Sequence, residues 1–178
     1  MNYKLIATCP NDLVESLGKE LKDLGARKIE IDYASVHFET NEENFYRVHL
    51  WCRQASRILW IIKECAAKHD KMLRDQARRI KWNQYFGSNK TFKIEGIQAD
   101  RGPEHMTSNE ISKAVREGLQ DSFDFNKEKV PSVNLKEPDV NIVVFAHKGR
   151  CTMAFDTSHK ALHKRGYRTE GHPAPIKE

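Results

Sequence analysis

The chain has 178 residues, room for one ordinary domain or two small ones, and its 39% hydrophobic content supports packed cores and excludes disorder by composition. Lys and Arg total 30 against 25 acidic residues, but the excess is local: residues 1–66 carry nine basic and ten acidic groups, residues 67–178 carry 21 and 15. An anionic partner is therefore expected on the second part. Cys9, Cys52, Cys65 and Cys151 form no CxxC pair, and MNYKLIATCP lacks the basic start and long apolar run of a secretory signal. No apolar run approaches the roughly 20 residues of a membrane span. A reduced, cytoplasmic setting without membrane attachment is expected.

In chain order, Tyr3 to Thr8 reads as a strand that Pro10 stops, with Asn11 capping the helix that follows. Leu13, Leu17, Leu21 and Leu24 share one helical face, and Gly25 stands where a C-terminal cap belongs. Ile29, Ile31 and Tyr33, then Val36 and Phe38, alternate with polar residues on two strands joined by a tight turn. Thr40 and Glu43 have capping-box spacing ahead of a helix through Phe45, Val48 and Trp51, and Arg57 to Cys65 reads as a strand buried on both faces. The order β-α-β-β-α-β over residues 1–65 is ferredoxin-like.

From Ala66 the character changes. Lys68 to Trp82 is expected as an amphipathic helix with Leu73, Ala77 and Ile80 on its buried side and Lys71, Arg74, Arg78 and Lys81 as a cationic stripe on another face. A solvated face is the plain alternative for that stripe. Trp82, Tyr85 and Phe86 are assigned mostly to the core. Thr91 to Gln98 is a further strand, leading to a loop with Arg101 and Gly102 and then to Thr107 and Ser108 ahead of a helix. There Ile111, Val115 and Leu119 mark the buried side while Lys113 and Arg116 face elsewhere. A helix start of this kind offers backbone amides to phosphate, although many such starts hold no ligand. Asp124 to Pro138 reads as a connecting loop.

Val140 to Phe145, a turn over His147 to Arg150, and Cys151, Met153 and Phe155 on the return form a β-hairpin. Beyond it LHKRGYR places Lys164, Arg165 and Arg168 around Gly166 and Tyr167. Cations there suit phosphate oxygens, and the tyrosine ring suits either core packing or stacking on an unpaired base.

LHKRGYR followed by APIKE closely resembles the segment that joins the THUMP domain to the catalytic domain in the K/L family of large-subunit ribosomal RNA methyltransferases. ATCP, LWCRQASRILW and the PDV and DTS segments occur in that family's order, so the resemblance covers nearly the whole chain. It implies an α+β chain: a ferredoxin-like N-terminal domain over 1–65, an α/β THUMP domain over 66–160 and a linker over 161–178 toward a methyltransferase domain beyond Glu178. It also implies that structured RNA, in the nearest relatives large-subunit rRNA, is docked for methylation of a guanine exocyclic amine by S-adenosylmethionine held in that further domain.

Within residues 1–178 no glycine-rich strand-to-helix turn with a following acidic residue is found, and no Asn-Pro-Pro or Asp-Pro-Pro start of the kind that orients an exocyclic amine. This stretch alone is therefore expected neither to bind the methyl donor nor to catalyse. His159 and His163, with Asp156 nearby, have helical spacing but no fixed third ligand, so no metal is assigned. Cys9 or Cys151 as a nucleophile lacks a placed partner, and a buried structural thiol is the commoner case. The RNA-binding candidates are Lys71, Arg74, Arg78, Lys81, Arg101, Lys113, Arg116, Lys164, Arg165, Tyr167 and Arg168. The alternative is a protein-interaction or small-molecule regulatory module of ferredoxin-like type, from which RNA binding is separated by its steep salt dependence.

Overall fold

The computed structural model describes residues 2–99, 105–162 and 164, in two compact units: residues 1–60 with 156–178, and residues 61–155. The first contains β1 (Tyr3–Thr8), α1 (Val14–Asp23), β2 (Arg27–Asp32), β3 (Ser35–Thr40), α2 (Glu42–Trp51) and the start of β4 (Arg57–Ala66). Its strands lie in the order β2-β3-β1-β4 and all pair antiparallel, with Tyr3 opposite Thr40 and Leu5 opposite Trp60. Alternation turns Leu5, Ala7, Val36, Phe38 and Ile58 onto one face, where Leu17 and Leu21 of α1 and Val48 of α2 complete the core. The ferredoxin-like order is thus present.

Two of its capping signals differ from the expected ones, and β4, expected as buried on both faces, is fully buried only at Ile58 and Leu59. Asn11 does not cap α1: it opens a short 3-10 turn, Asn11–Leu13, and its side chain accepts from the Ala34 amide in the β2–β3 turn. Asn41, not Thr40, caps α2 by accepting from the Asn44 amide, because Thr40 is the last residue of β3 and is buried. Gly25 does end the α1 region, with φ 90°, and a side chain there would collide with Asn44.

Residues 157–162, after β8 (Arg150–Asp156), return to this first unit. Asp156 pairs with Arg57, the Thr157 amide donates to the Ile58 carbonyl, and the Leu162 amide donates to Ser56 while its side chain packs on the core. His49 of α2 is fixed from both sides, its Nδ1–H donating to the Phe45 carbonyl and its Nε2 meeting the Thr157 hydroxyl at 2.8 Å. Burial pulls this imidazole below its ordinary pKa, against the opposing pull of the Phe45 carbonyl and Asp156.

The second unit contains the rest of β4, α3 (Asp70–Arg78), β5 (Thr91–Gln98), α4 (Ser108–Phe125), β6 (Ser132–Val133) and β7 (Val140–His147), with β8 up to Phe155. Its strands follow the order β8-β7-β5-β6, with β5 parallel to β7 and β6, and β7 antiparallel to β8. Parallel pairing of β5 and β7 needs a long crossover, and α4 supplies it. The β7–β8 turn falls at Lys148 and Gly149, both at positive φ, the backbone that suits a two-residue hairpin. Cys151, Met153 and Phe155 are buried as their alternation indicates, and Trp82, Phe86, Phe92 and Phe123 join Phe155 in an aromatic core. Tyr85 is the exception among the three aromatic residues assigned there: 41% exposed, its ring lies tilted against Phe155.

Two expectations for this unit are corrected. The helix expected over Lys68 to Trp82 ends at Arg78, because Trp82 is drawn into the core and its indole N–H takes the Ala77 carbonyl. The stretch expected as loop over Asp124 to Pro138 includes the end of α4 and the short strand β6, whose Ser132 and Val133 pair with Thr91 and Phe92.

Candidate nucleic-acid interface

Helices α3 and α4 lie side by side. Their contacts advance along both helices together, from Arg74 with Glu117, through Ala77 with Gly118, to the Ile80 carbonyl with the Ser122 hydroxyl. Both helices therefore run the same way and their C-termini meet. Gly118 permits the approach, since a Cβ there would lie 2.4 Å from the Arg74 carbonyl oxygen.

The stripe expected on α3 divides under this packing. Arg74 is not a free phosphate ligand: its Nε and second guanidinium nitrogen hold both oxygens of Asp121 at 2.7 and 3.0 Å, and a third nitrogen reaches Glu117 at 3.1 Å. Asp121 raises the pKa of Arg74 above its ordinary value, and Arg74 holds the Asp121 carboxyl below the usual carboxylate range. Lys81 lies beyond the end of α3, at the start of the 3-10 turn Trp82–Gln84, so it belongs to no helical stripe. Lys71 and Arg78 remain exposed on α3.

Beside Arg78 the two helix ends enclose an open cleft of about 440 Å³, with Asp75, Arg78, Arg79 and Lys81 from the α3 side and Phe125 and Asn126 from the end of α4. The Arg78 guanidinium stands 5.9 Å from the centre of the Phe125 ring, and Phe125 is 75% exposed. Cations at two helix C-termini are favoured by the helix dipoles. That accounts for Arg78 and Arg79 without a ligand, but it gives no reason for a phenylalanine held open to water.

Asp75, Arg79, Phe125 and Asn126 line the cleft and are absent from the sequence-derived candidates. The signal for Phe125 was present: Phe123 continues the buried side of α4, and two residues further along a helix points away from it. Arg79 was passed over because it does not fall on the 71, 74, 78 spacing.

At the opposite end of the pair α4 is capped from within. Thr107 and Glu110 form a capping box in which the Glu110 carboxylate takes the Thr107 amide at 2.7 Å and the Thr107 hydroxyl takes the Glu110 amide. Two of the amides expected to meet phosphate are thereby occupied, and the Glu110 carboxyl is held below its ordinary pKa by the Thr107 amide. With Asp70 nearby, negative charge stands where a phosphate would enter. Of the α4 cations, Lys113 is 4.0 Å from Glu117 and Arg116 is exposed. Arg101, Arg165, Tyr167 and Arg168 lie outside the described residues; Lys164 is exposed, its amide donating to the Ala161 carbonyl.

No group of three metal-ligating side chains is found among the described residues, and Asp156 is engaged by Arg57 and the Ser158 amide; His163 lies outside them. The four cysteines are free thiols, and burial pushes Cys52 and Cys151 up to about 12, far from the thiolate that a nucleophile needs. No helix among the described residues is long and apolar enough to cross a membrane.

Comparison with known proteins gives a consistent picture. Residues 4–59 match the RlmL ferredoxin-like domain family and residues 67–156 match the THUMP domain family. Over 178 residues the chain is 35% identical to the ribosomal RNA large subunit methyltransferase K/L of Methylococcus capsulatus, and it covers 24% of that protein's length. Among solved structures, a possible methylase from Clostridium difficile 630 superposes with a TM-score of 0.86 at 27% identity, over 99% of this chain and 46% of that one. A predicted N6-adenine-specific DNA methylase from Listeria monocytogenes, at 23% identity and a TM-score of 0.84, shares the fold over the same fractions. The chain thus spans about a quarter of the curated relative and just under half of each solved chain.

Proposed function

Because the chain belongs to the THUMP-domain family and joins that domain to the ferredoxin-like domain of the K/L methyltransferases, we propose that it is the RNA-docking region of an rRNA methyltransferase. In this reading it holds structured large-subunit rRNA while a catalytic domain C-terminal to Glu178 transfers a methyl group to a guanine exocyclic amine. S-adenosylmethionine would be held by that domain.

The observation that carries the reading is the cleft at the joined ends of α3 and α4, where Arg79 and Lys81 stand exposed without a carboxylate pair among the described residues, and Arg78, whose charge also acts on Asp121, lies next to an open aromatic ring. Such cations displace the counterions condensed around RNA phosphates, and the release of those ions makes binding salt-dependent. The test is a salt titration of the 178-residue chain with a structured rRNA fragment. Affinity should fall linearly on logarithmic axes, and Arg79→Ala with Lys81→Ala should reduce the slope by about one per lost phosphate contact. Salt-insensitive binding of a protein partner and none of RNA would favour the interaction-module reading.

A further inference from the structure

Resting on the RNA-docking reading, we infer that the cleft between the ends of α3 and α4 takes a single unpaired nucleotide, its base stacked on Phe125 and its backbone phosphates on Arg79 and Lys81. The ring is 75% exposed at the last residue of α4, with the Arg78 guanidinium over one face at 5.9 Å from its centre. A phenylalanine ring turns about only two side-chain torsions, so it loses little conformational freedom when a base settles on its open face. Aromatic stacking of bases requires that they be unstacked from their neighbours, so a loop, bulge or strand end fits and a continuous duplex does not.

The remaining wall is chemically distinct. Asp75 is exposed and has no ion pair among the described residues, although Arg74, one position before it, is saturated by Asp121 and Glu117. A carboxylate in a site built only for phosphate would repel the ligand. It suits the hydrogen-bonding edge of a base that carries N–H donors, best of all guanine, whose ring N–H and exocyclic amine lie side by side for the two oxygens. On the other side Asn126 ties its amide nitrogen to the Ser122 carbonyl, which leaves its side-chain oxygen as a further acceptor. The cleft volume of about 440 Å³ is of the size that accommodates one small ligand.

The experiment compares two RNAs with the 178-residue chain by fluorescence anisotropy at fixed salt: a hairpin with unpaired guanines in its loop, and a fully paired duplex of equal phosphate count. The unchanged chain should prefer the hairpin, Phe125→Ala should abolish about tenfold of that preference while leaving duplex affinity as it was, and Asp75→Asn should weaken guanine loops more than uracil loops. Arg79→Ala with Lys81→Ala should weaken both RNAs alike. Equal affinity for hairpin and duplex, unaffected by Phe125→Ala, would overturn the nucleotide site and leave RNA docking standing. Binding of neither RNA would overturn both. Phe125→Leu, which keeps apolar area without an aromatic face, should behave as Phe125→Ala; recovery of the preference by leucine would contradict stacking.

Discussion

The two ends of the α3–α4 pair are made of similar materials and behave oppositely. At the N-terminal end, hydroxyl, carboxylate and amide satisfy one another through Thr107 and Glu110, which occupies two of the helix-start amides. At the C-terminal end, Trp82 takes the Ala77 carbonyl and Ser122 donates to the Ile80 carbonyl, yet Arg78, Arg79, Lys81 and Phe125 remain turned to solvent. Arg74, midway between them, is as cationic as Arg78 and is already neutralised. Charge in a sequence therefore indicates a binding surface only after the protein's own carboxylates have been subtracted.

The largest effect is expected at Gly118. Valine there would drive its side chain into the Arg74 carbonyl and Ala77 and force the helices apart, and a loss of about 3 kcal/mol is expected from such overpacking. Denaturant unfolding followed by circular dichroism measures it, and an unchanged midpoint would mean that the helices are not in close contact. Thr107→Ala is the next largest: removing the cap should cost about 1 kcal/mol, while RNA affinity per folded molecule stays the same. Loss of affinity in that variant would place the anion site at the wrong end of the pair.

A smaller effect, outside the pair, comes from His49. Its folded pKa is lowered by burial, so as pH falls the unfolded chain takes up the proton first. The stability contributed by the neutral ring is fully present above the ordinary value of about 6.5 and is lost as pH falls through the folded value. Unfolding midpoints measured between pH 8 and pH 5.5 should be flat and then decline, and His49→Gln should flatten the decline; an equal decline in the variant would assign it to other groups.

Much of this fold was legible from periodicity. The leucine face of Leu17 and Leu21, the alternation of Cys151, Met153 and Phe155, and the glycine at position 25 each follow from a local rule that the tertiary structure obeys. What was not legible depended on partners distant in sequence. Asn11 and Thr40 looked like caps, but a strand turn claims one and a strand end the other. The α3 helix looked longer than it is because Trp82 is recruited by a core assembled from residues up to Phe155. The site was less legible than the fold for the same reason: Asp121 lies 47 residues from Arg74, and only the packing of α4 on α3 reveals which cation it neutralises.

The most direct test of the account is a salt titration run in parallel on Arg74→Ala and on Arg79→Ala with Lys81→Ala, using one structured rRNA fragment. The double variant should lower the logarithmic salt slope by up to about two and weaken binding at every salt concentration, whereas Arg74→Ala should leave the slope unchanged because its charge is already met by Asp121 and Glu117. A reduced slope for Arg74→Ala, with no change in the double variant, would contradict the placement of the RNA-binding surface at the joined helix ends.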